Sequence, residues 1–379
     1  MSLSDDVTGT CSRIHTCMYS NVRCTSTFKD TFSIVYKNYG DPVVVLQKEK
    51  LELPKVLQPE QVLVRFLAAP INPADLTMIE GKYPIKPALP AVGGNEGVAT
   101  VVATGGSVKG IIPGDWVIPA GSGFGTWRTH AVCKPHELRK IDNDIPVVRA
   151  ATMACNPCTA YRMLHDFVML KPGDTVIQNA ANSAVGQAVI QIAAKLGLKT
   201  VNIIRDRENR KLLIELLKDL GATMVFTEEE LRKPEAKEAW KILPKPRLAL
   251  NGVGGKSATE IARHIEKGGI MVTYGGMSRE PVTMPTGSFI FNDLQLRGFW
   301  MTEWNRKNLQ TKESSDMLSY ICNMIRHGEL QQPLCEVTHM HNFKDAIDNS
   351  VRPFKPKKVI MLMQEEVDLP SDRFEGRKV

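Results

Sequence analysis

The sequence predicts an α/β chain in which a doubly wound parallel-sheet domain is inserted into a smaller, β-rich barrel domain. Three observations carry this. At 379 residues the chain is too long for one comfortable core. From about residue 31 to 155 it reads as short extended runs punctuated by Gly and Pro. From Lys171 onward, strand-like and helix-like segments alternate.

In the first stretch the extended runs are SIVYKNYG, VVVLQKEKLEL, QVLVRFLAAPI, GVATVVATG, DWVIPAG and WRTHAVCK, the pattern of a small barrel with long loops. The strand DTVIQNA then opens a βα series: helix AVGQAVIQIAAKLG, strand KTVNII, helix ENRKLLIELLKDLGA, strands MVF and RLALNGV, helix SATEIARHIEKGG, and strands IMVTYGG and LQLRGFW. Repeated units of this length form a parallel sheet of the Rossmann type. A helix near 315–328, followed by EVTHMHNF and KKVIMLM, returns the chain to the first domain. The expected division is a leader at 1–30, the β-rich domain at 31–155, the parallel-sheet domain at 156–302, the return at 303–364 and a solvated tail at 365–379.

Composition narrows the function classes. With 43% hydrophobic and 23% charged residues the chain folds as a globular protein. Its apolar runs, such as Val189 to Ala194, stop short of the roughly 18 residues of a bilayer span, so no membrane anchor is expected. A net charge of +7 suits anionic partners such as nucleotide phosphates or an acidic carrier protein. Nucleic acid is disfavoured, because the basic residues are scattered and no finger spacing, RNA-binding aromatic motif or basic arm is present. Eight cysteines are too sparse for a disulfide framework and imply a reducing compartment. Cys155 and Cys158 form a C-x-x-C that reads as a redox pair, half a metal site or neither; no partner pair follows at zinc spacing, and Pro157 marks a helix start. His339 and His341 alternate like strand residues. In the leader, Arg13 and Arg23 are the only Lys, Arg, Asp or Glu from Thr8 to Phe28, as in organelle transit segments, although Asp5 and Asp6 argue against one.

The first βα turn is Ala181-Asn182-Ser183-Ala184-Val185-Gly186. Measured against G-x-G-x-x-G it keeps only the third glycine, with Ala181 and Ser183 in place of the others. Alone it reads equally as an ordinary tight turn. Its place at the head of the βα series favours a dinucleotide pyrophosphate at the helix N-terminus. About twenty residues on, after the strand Val201–Ile204, stands Arg205-Asp206-Arg207. Two guanidiniums at a strand's carboxyl end favour the 2′-phosphate of NADPH, while Asp206 keeps NADH open.

The run INPADLTMIEGKYPIKPALPAVGGNEG at 71–97, with GDWVIPAGSGFGTWRT, NPCTAYRML, QNAANSAVGQAVIQIAAKLG, IIRDR, VTYGGM and LRGFWM, strongly resembles the medium-chain dehydrogenase/reductase superfamily. Within it the chain is similar to the mitochondrial trans-2-enoyl-thioester reductases of fatty acid synthesis, from about residue 31 to 362. The resemblance implies a GroES-like catalytic domain, NADPH as cofactor, a thioester substrate on acyl carrier protein or CoA, a mitochondrial matrix location and a homodimer. It implies Tyr83 as proton donor, Asn156 in contact with the cofactor, and Asn182, Ser183, Ala184 and Val185 along the pyrophosphate turn. Arg205, Asp206 and Arg207 would hold the adenosine phosphate. Tyr274, Gly275, Gly276 and Met277, with Phe299, Trp300 and Met301, would wall the nicotinamide and substrate, and Lys357 would reach the cofactor.

The departures are equally informative. Zinc alcohol dehydrogenases of the superfamily carry G-H-E where this chain has Gly94-Asn95-Glu96, and their cysteine-rich lobe is missing, so no metal is expected. Without a Lewis acid, reduction of an activated carbon–carbon double bond fits better than carbonyl reduction. Ala184 stands where many relatives have Gly, and Pro84 follows Tyr83 where Gly is common. Two rival readings remain: a quinone or alkenal reductase of the same superfamily, and a binding protein docking through the L-x-x-L-L box Leu213–Leu217. The same leucines suit the buried face of a helix, so their accessibility decides the second.

Overall fold

The protein is described here by a computed structural model covering residues 30–352 and 357–363. The expected leader (all but its last residue) and the expected solvated tail lie outside the described residues. In the first region the strands are β1 (Phe32–Tyr36), β2 (Leu46–Lys50), β3 (Val62–Pro70), β4 (Ala91–Val92), β5 (Val98–Thr104), β6 (Trp116–Pro119), β7 (His130–Cys133) and β8 (Leu138–Ile141). Then follow β9 (Thr175–Gln178), β10 (Lys199–Ile204), β11 (Met224–Thr227), β12 (Leu248–Asn251), β13 (Ile270–Thr273), β14 (Gln295–Gly298), β15 (Cys335–His339) and β16 (Lys358–Leu362).

The central strand of the β-rich region is β3. Its sequence VLVRFLAAP is buried except at Arg65, because it is covered on both faces. It pairs antiparallel with β5, β7 and β16, within the order β15-β16-β3-β5-β6-β8. The last described strand thus hydrogen-bonds to one of the first. Strands β2, β1 and β4 form a separate three-stranded sheet. One expected extended run is corrected: Pro42–Val45 is a short helix rather than the start of VVVLQKEKLEL as strand. Local chemistry overrides the β-branched valines there, since the Asp41 carboxylate accepts from the Val43 amide at 3.0 Å and Pro42 fits the first helical turn.

The second sheet is all parallel, in the order β11-β10-β9-β12-β13-β14. The strand order therefore reverses between β9 and β12, which opens a crevice beyond their carboxyl ends. Two buried asparagines tie that mouth together. Asn179 Nδ2 donates to Asn251 Oδ1 at 2.8 Å, and the Gly252 amide donates to Asn179 Oδ1 at 2.8 Å. The helix Arg210–Asp219 packs Leu213, Leu216 and Leu217 against Ala181, Ile190 and Ile204. With Leu213 and Leu217 only 2% and 0% exposed, the L-x-x-L-L box is core and offers no docking surface.

The helix Lys312–Arg326 lies near the segment expected to be helical. The helix Met301–Asn308 was not anticipated, and it runs through residues 302–303, where the sequence places the second passage between domains. Among the described residues no helix is long and apolar enough to cross a membrane.

Candidate active site

Strand β9 ends in a tight turn that delivers the chain into the helix Ala184–Lys195. Ala180 takes a left-handed φ of 50°, and Ser183 caps the helix by accepting from the Gly186 amide at 3.1 Å. Gly186 is indispensable: a Cβ there would lie 2.5 Å from the Ala181 carbonyl oxygen. The capping leaves the first-turn amides of Ala184 and Val185, which have no partner within the helix, at a positive helix end. Across the crevice Tyr274 follows β13, its hydroxyl directed at Ser183 and its pKa pushed up to about 12 by burial. Asn156, buried at the start of the helix Asn156–Asp166, shares a small cavity with Ala184 and Gln187, and its Nδ2 has no partner.

At the carboxyl end of β10 the Asp206 carboxylate caps its own turn. It accepts from the Arg207 amide at 3.0 Å and from Arg210 Nη1 at 3.2 Å. Its charge is thereby matched by Arg210. Arg207 is half-buried, and its pKa is lowered by desolvation and then by the nearby Arg205 cation. Two like charges held together at a helix-bearing crevice favour an anion between them. An orphaned amide, a free helix end and paired guanidiniums together fit a phosphorylated dinucleotide.

The larger cavity, about 550 Å³, includes Ala154 and Cys155, which directly precede Asn156 in the chain. Tyr83 and Met301 line it, with Asn72, Asp75, Asn95, Glu96, Ser122, Phe124, Cys155 and Thr302. Trp300 Nε1 donates to the Tyr83 hydroxyl at 2.8 Å, with the rings edge to face. Burial raises the Tyr83 pKa, and the hydrogen bonds of Trp300 and Thr302 oppose this. Tyr83 therefore stays protonated at neutral pH, with one lone pair engaged by an indole that can only donate.

Under the cavity lies a polar layer that the sequence reading missed. Asp75 is 1% exposed; its Oδ2 accepts from the Asn72 amide at 2.7 Å and its Oδ1 from Asn95 Nδ2 at 2.6 Å. Asn72 Nδ2 donates to Glu96 Oε2 at 2.9 Å, and Lys358 Nζ donates to Asn72 Oδ1 at 2.5 Å. Burial lifts Asp75 to about 6 against the pull of Asn72, Asn95 and Lys358, and it lifts Glu96 as well. One signal was available: Asn72 and Asp75, three apart around Pro73, are the signature of a capped helix start.

Seven of the residues expected from sequence fall into two groups. Ser183, Ala184, Asn156 and Tyr274 meet at the crevice, and Tyr83, Trp300 and Met301 meet at the cavity. Phe299 packs its ring edge-on to Phe167, while Gly276 and Met277 are exposed. Lys357 lines neither cavity, and nor does Lys358, which donates to Asn72 Oδ1 in the polar layer. Burial pushes the Cys155 thiol to about 12 and Cys158 higher still, and both are free, which does not suit a thiolate redox pair.

The family described as alcohol dehydrogenase GroES-like domain matches residues 58–143, and that described as zinc-binding dehydrogenase matches residues 184–318. The chain is 55% identical over 331 residues to the mitochondrial enoyl-acyl-carrier-protein reductase of Rattus norvegicus, covering 87% of this chain and 88% of the other. Among solved structures it resembles the mitochondrial 2-enoyl thioester reductase Etr1p/Etr2p heterodimer of Candida tropicalis, at 36% identity and a TM-score of 0.83, covering 88% of this chain and 100% of that one. The complex of Etr1p with NADP and crotonyl-CoA is similar at 36% identity and a TM-score of 0.82, covering 88% and 99%.

Proposed function

Because this chain belongs to the family of mitochondrial enoyl-acyl-carrier-protein reductases, we propose that it reduces trans-2-enoyl thioesters with NADPH in mitochondrial fatty acid synthesis. The observation that carries the reading is the Tyr83 hydroxyl, held by Trp300 on the wall of a cavity next to a dinucleotide crevice. The substrate is a saturable acyl thioester on acyl carrier protein or coenzyme A.

NADPH, when bound, supplies a hydride for Cβ of the enoyl group. The protein's part is to bind, orient and protonate. Ala184, Val185 and Asn156 offer donors to the pyrophosphate side of the crevice, and Arg205 and Arg207 supply charge for the 2′-phosphate. Tyr274, Phe299 and Met301 form apolar wall. Tyr83 gives its proton to Cα, and the Trp300 N–H steadies the oxygen left behind. Asn95 occupies the position of the zinc-binding His of related dehydrogenases, and its amide is committed to Asp75 and Gly123. No metal step is needed, since the thioester delocalises the charge that hydride addition creates.

The test is direct. NADPH oxidation by the purified chain is followed with trans-2-enoyl thioesters and, separately, with quinones. Turnover confined to the enoyl thioesters is expected; turnover confined to quinones would move the chain to the alternative reductase class.

The working unit is a homodimer formed through β14. This strand ends the parallel sheet, its four residues are exposed, and Ile290 and Phe291 beside it are 67% and 72% exposed. An open edge flanked by apolar side chains invites a second copy of the same edge, related by a two-fold axis. Sedimentation should give twice the chain mass, and Leu296→Lys should shift it to the single-chain mass. A single-chain mass for the unaltered protein would remove the proposal.

A further inference from the structure

Asn95 has lost any role in holding a metal, yet its side chain is fully engaged, and its two bonds join opposite walls of the cavity. Its Nδ2 donates to Asp75 Oδ1 at 2.6 Å, and its Oδ1 accepts from the Gly123 amide at 2.6 Å. Asp75 lies on the helix Pro73–Ile79, and the turn that follows it hangs Tyr83 from the same helix, since the Lys82 and Tyr83 amides donate to the Thr77 carbonyl at 2.9 and 3.2 Å. Gly123, with a left-handed φ of 83°, belongs to the loop opposite. In that loop Ser122 Oγ meets Thr302 Oγ1 at 2.9 Å, and Thr302 lies two residues beyond Trp300, whose indole holds Tyr83. The path from Asp75 through Tyr83, Trp300, Thr302, Ser122, Gly123 and Asn95 back to Asp75 is closed.

We infer that Asn95 is a positioning residue for proton transfer: it closes a ring of contacts around the cavity and so sets where the Tyr83 hydroxyl stands. The inference rests on the function proposed above. An amide is required because the site needs a donor toward a carboxylate and an acceptor toward a backbone N–H, and only the short Asn side chain offers both at this reach. Leucine offers neither. Aspartate offers the acceptor but lacks the donor unless a proton is shared with Asp75.

This gives a test that a merely space-filling residue would not pass. In Asn95→Leu the loop opposite Tyr83 is released, so kcat should fall about ten- to a hundred-fold while KM changes by less than about two-fold, as expected for a misplaced reacting group. In Asn95→Asp two carboxylates face each other, which raises one pKa of the pair. Below that pKa a shared proton restores the missing donor and kcat approaches the unaltered value. Above it both are charged, the ring opens and kcat falls as pH rises. Asp75 is also faced by Lys358 from β16, Glu96, Tyr36 from β1, Tyr83 and Cys155. All five are present in the unaltered chain, so its own pH profile is the control.

The experiment measures kcat and KM for NADPH-dependent reduction of a trans-2-enoyl-CoA by the three proteins from about pH 5.5 to about pH 8.5, the range in which a raised carboxyl pair titrates. Amide hydrogen exchange across residues 121–125 is measured beside it. Expected are an alkaline loss peculiar to Asn95→Asp, low activity across the range in Asn95→Leu, and faster exchange in 121–125 with the rest of the chain unchanged. Unaltered kcat in Asn95→Leu, or an Asn95→Asp profile parallel to that of the unaltered chain, overturns the inference. If the unaltered chain reduces no enoyl thioester, the functional reading fails instead. The exchange data then judge Asn95 alone, and unchanged exchange in 121–125 overturns it.

Discussion

Tyr83→Phe is expected to fold, bind NADPH as the unaltered chain does, and reduce trans-2-enoyl thioesters about 10²- to 10⁴-fold more slowly, the range a positioned general acid supplies. Phenylalanine keeps the ring that stands edge-on to Trp300 and deletes only the oxygen. The indole N–H loses its acceptor, but Trp300 is 38% exposed, so water replaces the bond at little cost. Because the hydroxyl acts only when Cα is protonated, kcat and kcat/KM should fall together. Raised above its usual pKa by burial, Tyr83 keeps its proton through neutral pH, so the unaltered chain should lose activity only as pH climbs through that raised value. Steady-state kinetics of the purified variant check this. A wild-type rate in Tyr83→Phe would make Tyr83 a loop residue and send the proton's source to solvent or another donor.

The second large effect is expected at the phosphate site. Replacing Arg205 and Arg207 together by alanine should raise the KM for NADPH about a hundred-fold, since each charge-assisted hydrogen bond is worth about 1.5–3 kcal/mol and the two are coupled. The KM for NADH, which carries no 2′-phosphate, should change by less than about three-fold, an exposed charge being a weak long-range influence. Asp206 does not compensate, because its carboxylate is held by the Arg207 amide and by Arg210. Parallel titrations with the two nucleotides decide the matter, and equal effects on both would move the phosphate site elsewhere. Each single variant is informative as well: the Arg205 cation already lowers the Arg207 pKa, so the two single effects should not simply add to that of the double.

Much of this was legible in the chain before any tertiary contact was known. The parallel sheet was, because alternating apolar strands and helices have few other ways to bury both faces, and the strands from DTVIQNA to LQLRGFW fall where periodicity places them. So was the tight turn after β9, where Gly186 is held by a local steric demand; Tyr83, expected from the family resemblance, stands on the cavity wall, and its role is what Tyr83→Phe tests. Local patterning misjudged Pro42–Val45, where one carboxylate cap outweighed three β-branched residues.

What the sequence by itself determined is therefore the class of fold, the tight turn that Gly186 permits, the charge beside β10 and an amide rather than an imidazole at Asn95. These depend on short-range periodicity, on backbone conformations that one residue type alone tolerates, and on the identity of single side chains. The tertiary structure alone decided which distant groups meet. Lys358 joins the polar layer because β16 carries it, in register with Cys335 of β15, to Asn72. Leu213 and Leu217 are core because their helix lies on the sheet. Asp75, Asn95, Gly123, Ser122, Thr302, Trp300 and Tyr83 form one ring though they span more than two hundred residues, because three loops and two helices converge on one cavity. No spacing in the sequence encodes that meeting; it exists only once burial in two sheets has brought their ends together.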